Sequence, residues 1–303
     1  MKALVIGFGS IGERHVNVLK ELGLDVAIVC RRPIDVSPRY DSITNAIEHF
    51  SPDYVIIASS TNEHRNDIDE VSRTDFRGKL LIEKPLYDTG EASLPSGFSR
   101  AKVAYNLRFH PALQFFRQQL QSRNVHAVIA YTGSYLPDWR PGSDYRLGYS
   151  ADPQRGGGVL RDLSHELDYL LWLFGDWQSL AAHGGQFSQL EVSSDDVFSV
   201  FFETANVQSI SLNMNYLDTT TRREMIALTD QGSIRLDLTA GTVETPEIQK
   251  SFETARNDTY RWQHQAILSD DESIICDVSE GLRVMRMIGA IEQASRTKSW
   301  ITA

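Results

Sequence analysis

The sequence predicts an α/β fold that opens on a parallel sheet wound with helices, and two observations carry that prediction. Residues Lys2–Ile6 are a short apolar run rich in branched side chains, the pattern of a strand buried on both faces. Gly7-Phe8-Gly9-Ser10-Ile11-Gly12 follows at G-x-G-x-x-G spacing and opens an amphipathic helix whose apolar positions are Ile11, Val16, Val18, Leu19 and Leu22. Strand, glycine loop and helix in that order are the context in which the spacing means dinucleotide binding. Gly7 permits the tight turn, Gly9 lets backbone approach a pyrophosphate, and Gly12 allows close helix–strand packing. The phosphates would lie on the N–H groups around Ser10, Ile11 and Gly12, at the positive end of the helix dipole.

The helix is expected to stop at Gly23, a good left-handed cap, before a second strand over Asp25–Cys30. Near the end of that strand a carboxylate selects the adenosine ribose of NAD, whereas an arginine selects a 2′-phosphate. Arg31 and Arg32 stand there, so NADP(H) is the preferred cofactor. NAD(H) is the alternative, with both arginines solvated and Asp35 reaching back to the ribose. A third strand, Tyr54–Ala58, releases Ser59, Ser60 and Thr61, small hydroxyl residues that let a loop lie against a cofactor. His64 follows in a first helical turn, where it reads either as a cofactor or substrate contact or as an exposed side chain. The strand Lys79–Ile82 runs into Glu83-Lys84-Pro85. A lysine at the carboxyl end of a parallel strand faces the crevice where open α/β sheets bind ligands, and Pro85 biases Lys84 toward extended backbone.

Bulk properties narrow the function classes. A length of 303 residues suggests about two domains, and 41% hydrophobic with 23% charged residues is ordinary for a globular protein. The net charge of −10 argues against general nucleic-acid or anionic-membrane binding. Cys30 and Cys276 make neither a disulfide framework nor a metal-ligand spacing, so no metal is expected. No apolar run spans a bilayer, and a strand from residue 2 leaves no signal segment, so a cytoplasmic location is expected.

The second half reads differently. A helix is predicted over Pro111–Gln121 and a strand over His126–Tyr135. The loop Leu136–Gln154 carries Trp139, Arg140, Tyr145, Arg146 and Tyr149, a composition that suits either a ligand grip or an oligomer contact. Gly156–Gly158 then opens what reads as one long helix with Val159, Leu163, Leu167, Leu170, Leu171 and Phe174 as its apolar positions. Asp162 and His165, three residues apart, would project from one side of it, and an imidazole can move a proton near neutrality. Strands follow at Val197–Phe202, Val207–Met214, Arg223–Leu228 and Ser233–Leu238, partly period-two, which suits a sheet covered on one face. Asp195-Asp196 reads as a solvated turn, with substrate contact as the alternative.

With the glycine loop, Glu83-Lys84-Pro85, Tyr105-Asn106-Leu107-Arg108-Phe109 and Gly156-Gly157-Gly158…Asp162…His165 in view, the chain resembles the glucose–fructose oxidoreductase/inositol dehydrogenase (Gfo/Idh/MocA) family over nearly its whole length. The resemblance implies a Rossmann domain, here 1–108, followed by an α/β domain, here 109–303, for substrate binding and oligomerisation. That second domain would hold an open, mainly antiparallel sheet and build a homodimer or homotetramer. It also implies NAD(P)-dependent oxidation or reduction of a sugar hydroxyl or ketone. Lys84, His165 and Asp162 would then be catalytic, Glu83 would join the cofactor site, and Asn106 and Arg108 would join Trp139, Arg140, Tyr145 and Arg146 as substrate contacts. The chain departs from the family in holding the aspartate and histidine three apart rather than four. The loop from Ser134 to Arg146 is similar to members associated with surface-polysaccharide and nonulosonic-acid synthesis, so acidic sugars and nucleotide sugars enter as substrates. The alternatives are an epimerase using bound cofactor and a non-catalytic cofactor or sugar sensor of the same fold.

Overall fold

Four- and five-residue runs of branched apolar side chains build the first sheet. In chain order its elements are β1 (Lys2–Ile6), α1 (Ser10–Glu21), β2 (Asp25–Val29), β3 (Arg39–Tyr40), α2 (Ile43–Phe50), β4 (Tyr54–Ile57), α3 (His64–Ser72), β5 (Lys79–Ile82) and β6 (Lys102–Val103). These belong to a computed structural model that describes residues 1–30, 32, 36–88 and 101–303. The strands pair in parallel in the order β3-β2-β1-β4-β5-β6. That is the doubly wound nucleotide-binding order, whose direction reverses between β1 and β4 and opens a crevice there beyond the strands' carboxyl ends. Tyr54, Val55, Ile56 and Ile57 are fully buried, as a central strand covered on both faces requires. Each such side chain contributes about 1.5–3 kcal/mol.

The second sheet alternates. Its elements are α4 (Pro111–Leu120), β7 (Val125–Gly133), α5 (Val159–Asp162), α6 (His165–Phe174), β8 (Trp177–Gly185), β9 (Val197–Thr204), β10 (Ile210–Asn215), β11 (Arg222–Thr229), β12 (Gly232–Asp237), β13 (Thr242–Glu244) and β14 (Gln249–Ser251). The chain then adds α7 (Asp258–Leu268), β15 (Cys276–Asp277), α8 (Val278–Thr297) and β16 (Ile301–Thr302). Nine strands order as β14-β13-β12-β11-β7-β10-β9-β8-β16, antiparallel except for the β7–β10 pair. In β9, Phe198, Val200 and Phe202 are buried while Ser199 and Phe201 are exposed, so one face carries the core. On the other face Arg235, Ile226, Ile129, Ser211, Phe201 and Ala181 stand in one row across six strands. Ile129 and Phe201 are 49% and 50% exposed.

The chain divides into Met1–Asn106 with Ala255–Leu282, and Leu107–Thr254 with Arg283–Ala303. The expectation of one cut at 108/109 did not foresee the returning segment. Among the contacts that tie that segment to the first unit, β15 pairs with β6, and Asn106 Nδ2 donates to Thr259 Oγ1 at 2.7 Å. Among the described residues no helix is long and apolar enough to cross a membrane.

The single long helix expected from Val159 is two. α5 ends at Asp162, and Ser164 N–H and Glu166 N–H reach back three residues to Arg161 O and Leu163 O. In such a tightened turn residues three apart eclipse one another, so the Asp162–His165 spacing is read by a turn rather than by a continuous helix. The reading of Asp195-Asp196 as a solvated turn is also corrected. Asp196 is fully buried and accepts the N–H groups of Phe187 and Ser188 at 2.7 and 3.0 Å.

Candidate functional site

The glycine loop is fixed by contacts at the point where the first sheet reverses. A β-carbon on Gly7, whose φ is +94°, would lie 2.6 Å from Ala58 O, and one on Gly12 would lie 2.1 Å from Gly7 O. Position 7 therefore needs glycine for the loop after β1 to touch the end of β4, and position 12 needs it for the first turn of α1 to fold closely over that loop. Gly9 differs: its β-carbon would meet nothing within 4 Å. It precedes α1, and no side chain caps that helix. The first-turn N–H groups of Ser10, Ile11 and Gly12 have no acceptor within the helix, and an open, uncapped helix start fits the pyrophosphate of a dinucleotide. Arg32 stands beyond the end of β2, and its Nη2 donates to Phe8 O at 2.7 Å, so its guanidinium lies on the glycine loop. Arg31 and Asp35 lie outside the described residues.

The residues after β4 are already engaged. Ser59 Oγ donates to Asp67 Oδ2 at 2.5 Å, Thr61 is buried, and Ser60 is half-buried. His64 is also buried, with Nδ1 3.3 Å from Leu86 O and Nε2 3.3 Å from Ser59 O. Burial lowers its pKa against the opposing pull of those carbonyls and of Glu83. A neutral imidazole has one N–H, so His64 donates to one of these two carbonyls, between the loop after β4 and the segment after Lys84.

Glu83 and Lys84 leave β5 together, and the Lys84–Pro85 peptide bond is cis. Glu83 is buried. Its Oε2 accepts the Lys84 backbone N–H at 3.0 Å, and its Oε1 accepts from His15 Nε2 at 2.8 Å. Burial raises the Glu83 carboxyl, but the His15 hydrogen bond and the neighbouring Lys84, through its charge and its N–H, outweigh it and leave the pKa below its ordinary value.

In the second unit the three glycines after the long loop admit close neighbours at the start of α5. A β-carbon on Gly157 would lie 2.0 Å from Tyr149 O, and one on Gly158, whose φ is +121°, 2.4 Å from Asp195 Oδ1. Asp195 Oδ2 in turn accepts Leu160 N–H at 2.9 Å, and burial pushes the Asp195 carboxyl up to about 6. Asp162 closes α5 with its Oδ2 accepting Tyr216 OH at 2.6 Å, and Tyr149 is also hydrogen-bonded to this carboxylate. Burial, with the Asp162 charge second, holds both phenols protonated. A carboxylate that accepts hydrogen bonds from two phenolic O–H groups is fixed in orientation, which suits positioning better than proton abstraction. His165 is buried in the first turn of α6.

The long loop is less open than its composition suggested. Trp139 packs edge-on against Tyr216 at 5.2 Å, and its buried Nε1 has no hydrogen-bond partner. A buried N–H in that state costs about 1–3 kcal/mol unless a ligand accepts it. Arg140 stacks over Tyr149 at 5.4 Å. Arg146 is held by Asp144 and Glu191 at 2.7 and 3.2 Å, and Tyr145 OH accepts Glu191 N–H at 3.3 Å. Arg161 pairs with Glu292 at 2.6 Å. Arg108, expected on the substrate, is buried and donates to both oxygens of Asp168 at 3.0 and 2.7 Å. Asn106, expected beside it, is taken by Thr259. Arg146 and Arg161 thus meet carboxylates, whereas among the described residues Arg140 meets none. Among the described residues no group of three His, Cys, Asp or Glu side chains is placed to hold a metal ion.

Sequence reading missed Tyr216 as a partner of Asp162, because it lies two residues beyond the strand expected to end at Met214.

Residues 113–243 match the family model of the GFO/IDH/MocA C-terminal domain. The levoglucosan dehydrogenase of Pseudarthrobacter phenanthrenivorans is 24% identical over 140 residues, which are 43% of this chain and 36% of that protein, so the match spans about a third of the curated relative. Among solved structures, the WlbA dehydrogenase from Bordetella pertussis, in complex with NADH and UDP-GlcNAcA, superimposes with a TM-score of 0.81 at 16% identity. All of this chain and 97% of that one are covered. A levoglucosan dehydrogenase in complex with NADH and levoglucosan gives a TM-score of 0.83 at 15% identity, covering 100% of this chain and 99% of that chain. At these identities the structural likeness establishes the fold.

Proposed function

We propose that the chain, whose residues 113–243 match the GFO/IDH/MocA C-terminal domain, is an oxidoreductase of that family, a nicotinamide-dependent dehydrogenase or reductase acting on a secondary hydroxyl or ketone of a sugar or sugar derivative. The observation that carries this reading is an uncapped glycine-loop helix at the reversal of a doubly wound sheet, in the same unit as a lysine at the carboxyl end of β5. The first unit is assigned the dinucleotide, with Gly7, Gly9, Ser10, Ile11 and Gly12 at the pyrophosphate. The second unit is assigned the sugar. When bound, the nicotinamide supplies the hydride acceptor or donor. Lys84 Nζ hydrogen-bonds the reacting oxygen and stabilises its developing negative charge. His165 takes the hydroxyl proton in oxidation and returns it in reduction. Asp162, fixed by Tyr149 and Tyr216, orients a neighbouring hydroxyl, and the Trp139 N–H donates to a sugar oxygen.

Two relatives support the substrate class, since one is a dehydrogenase solved with levoglucosan and the other with a nucleotide sugar. For acidic sugars the support is Arg140 alone, because Arg146 and Arg161 already have carboxylate partners.

Cofactor choice is tested by fluorescence titration with NADPH and NADH. Arg32 on the glycine loop supports a 2′-phosphate clamp, so NADPH binding is expected to weaken about ten- to a hundredfold in Arg31→Ala/Arg32→Ala, the worth of one or two charge-assisted hydrogen bonds. NADH binding is expected to hold. Tighter NADH than NADPH binding in the wild type would reverse the assignment, and no binding of either would remove the enzyme reading.

The exposed Ile129 and Phe201 on the open face of the second sheet support self-association as a homodimer or homotetramer. Phe201→Asp places a charge on that face, and sedimentation equilibrium is expected to find a smaller species than wild type. An unchanged mass would remove this face as the interface.

A further inference from the structure

The first unit buries a line of four polar side chains that the proposed chemistry does not use. Tyr54 OH lies 2.9 Å from His264 Nδ1, His264 Nε2 lies 2.9 Å from His15 Nδ1, and His15 Nε2 lies 2.8 Å from Glu83 Oε1. Tyr54, His15 and His264 are fully buried, and Glu83 is 6% exposed. They come from β4, α7, α1 and the end of β5. Tyr260 stands edge-on against His15 at 5.7 Å, and Arg14 caps the Tyr260 ring.

Donor and acceptor counting gives this line a direction. Its one unambiguous end is the Lys84 backbone N–H, which can only donate, so Glu83 Oε2 accepts there. An ionised carboxylate accepts at Oε1 as well, so His15 carries its proton on Nε2. A neutral His15 then has a lone pair on Nδ1, which accepts from His264 Nε2–H. His264 Nδ1 is left as an acceptor, and the Tyr54 hydroxyl donates to it. Every proton and every ring lone pair is used once. A second proton on the rings would reverse two bonds and leave the Tyr54 O–H without an acceptor. That state would strand a buried donor, at a cost of about 1–3 kcal/mol, and would place a cation in the interior. Burial, with His15 beside it, pulls His264 well below the ordinary histidine range, and burial with the Glu83 charge pushes Tyr54 up. Both directions agree with a neutral His264 ring and a protonated phenol.

We propose that Tyr54, His264 and His15 form a relay of one fixed polarity that holds the Glu83 carboxylate on the Lys84 N–H, which makes them positioning residues for Lys84. The relay is anchored in strand and helix interiors, so it transmits rigidity to a segment that is otherwise the exit loop of a strand. Its link to turnover rests on the role assigned to Lys84 above.

Long-range ¹H–¹⁵N spectra of the full-length labelled protein read the tautomers directly. Both His15 and His264 are expected as Nε2–H. The other tautomer, or an imidazolium, at either ring near neutral pH would overturn the polarity. Tyr54→Phe removes only the terminal donor, and His264→Leu cuts the line. In both, exchange of the Lys84 amide is expected to quicken about tenfold, the worth of one hydrogen bond. kcat is expected to fall with cofactor Kd unchanged, and His264→Gln, which keeps a donor for His15, is expected to recover part of the loss. Lys84 amide exchange unchanged in both Tyr54→Phe and His264→Leu would sink the positioning role. Tautomers and exchange as expected, with no turnover on any sugar, would remove the functional reading and leave the relay.

Discussion

Lys84→Ala is expected to lose about 10²–10⁴-fold in kcat while NAD(P)H binding is retained. The size follows from the role. A single ammonium beside an oxygen that becomes an alkoxide stabilises charge that exists mainly in the transition state, so its removal appears in kcat rather than in binding. The direction for cofactor binding follows from the fold. The pyrophosphate is assigned to N–H groups at the start of α1 and the adenosine end to Arg32 on the loop after β1, and neither depends on the Lys84 side chain. Lys84→Arg is a stricter version, because it keeps the charge while changing its reach and geometry. The two readings of the chain separate here. A sensor of this fold would bind cofactor and ligand as before in Lys84→Ala, with regulation of its partner intact and no turnover in the wild type to lose. Steady-state rates and fluorescence titration on the same preparations distinguish them, and a Lys84→Ala protein with wild-type kcat would contradict the assignment outright.

Much of the first unit was legible because its signals are local. β1 and β5 occur where the apolar runs placed them, and β2 and β4 each stop one residue short. A parallel strand buried on both faces must be apolar throughout. The glycines were legible for the same reason, since a β-carbon at position 7 or 12 meets backbone within a few residues or across one strand pair. What was not legible is long-range. α7 has no continuous apolar stripe, since its buried residues are Thr259, Gln263, His264, Ala266 and Ile267, and its place follows from His264 meeting residues 210 and 249 positions away. The break between α5 and α6 was not legible because the apolar periodicity continues through Leu163, while Ser164 N–H and Glu166 N–H turn back by three residues. Arginines are the extreme case. Arg108, Arg146 and Arg161 look alike in sequence, and only the identity of the opposing carboxylate separates a guanidinium held in the core from one offered to a ligand.

Arg108→Met is expected to unfold the second unit far more readily than to change substrate affinity. Arg108 and Asp168 are each 2% exposed and meet through two hydrogen bonds, Nε to Oδ2 at 3.0 Å and Nη2 to Oδ1 at 2.7 Å. The guanidinium carbon also lies 5.4 Å from the Trp172 ring centre, with Arg117 at 4.1 Å over the same ring. Removing the arginine leaves the Asp168 carboxylate buried without its cation, and stranding one partner of a buried pair costs about 3–5 kcal/mol. Such a loss is a large part of the 5–15 kcal/mol by which domains are typically stable. Asp168 also sits in the first turn of α6 three residues beyond His165, so damage there reaches the proposed proton carrier through the helix. The control is the double variant Arg108→Met/Asp168→Leu, in which neither charge remains. Since a buried ion pair replaced by apolar groups of similar size is often neutral, that variant is expected to regain most of the stability lost in Arg108→Met. Urea midpoints on the three proteins decide the matter. A near-wild-type midpoint for Arg108→Met, with KM for the sugar raised, would return Arg108 to the substrate site; recovery in the double variant would fix its role as a strut beneath α6.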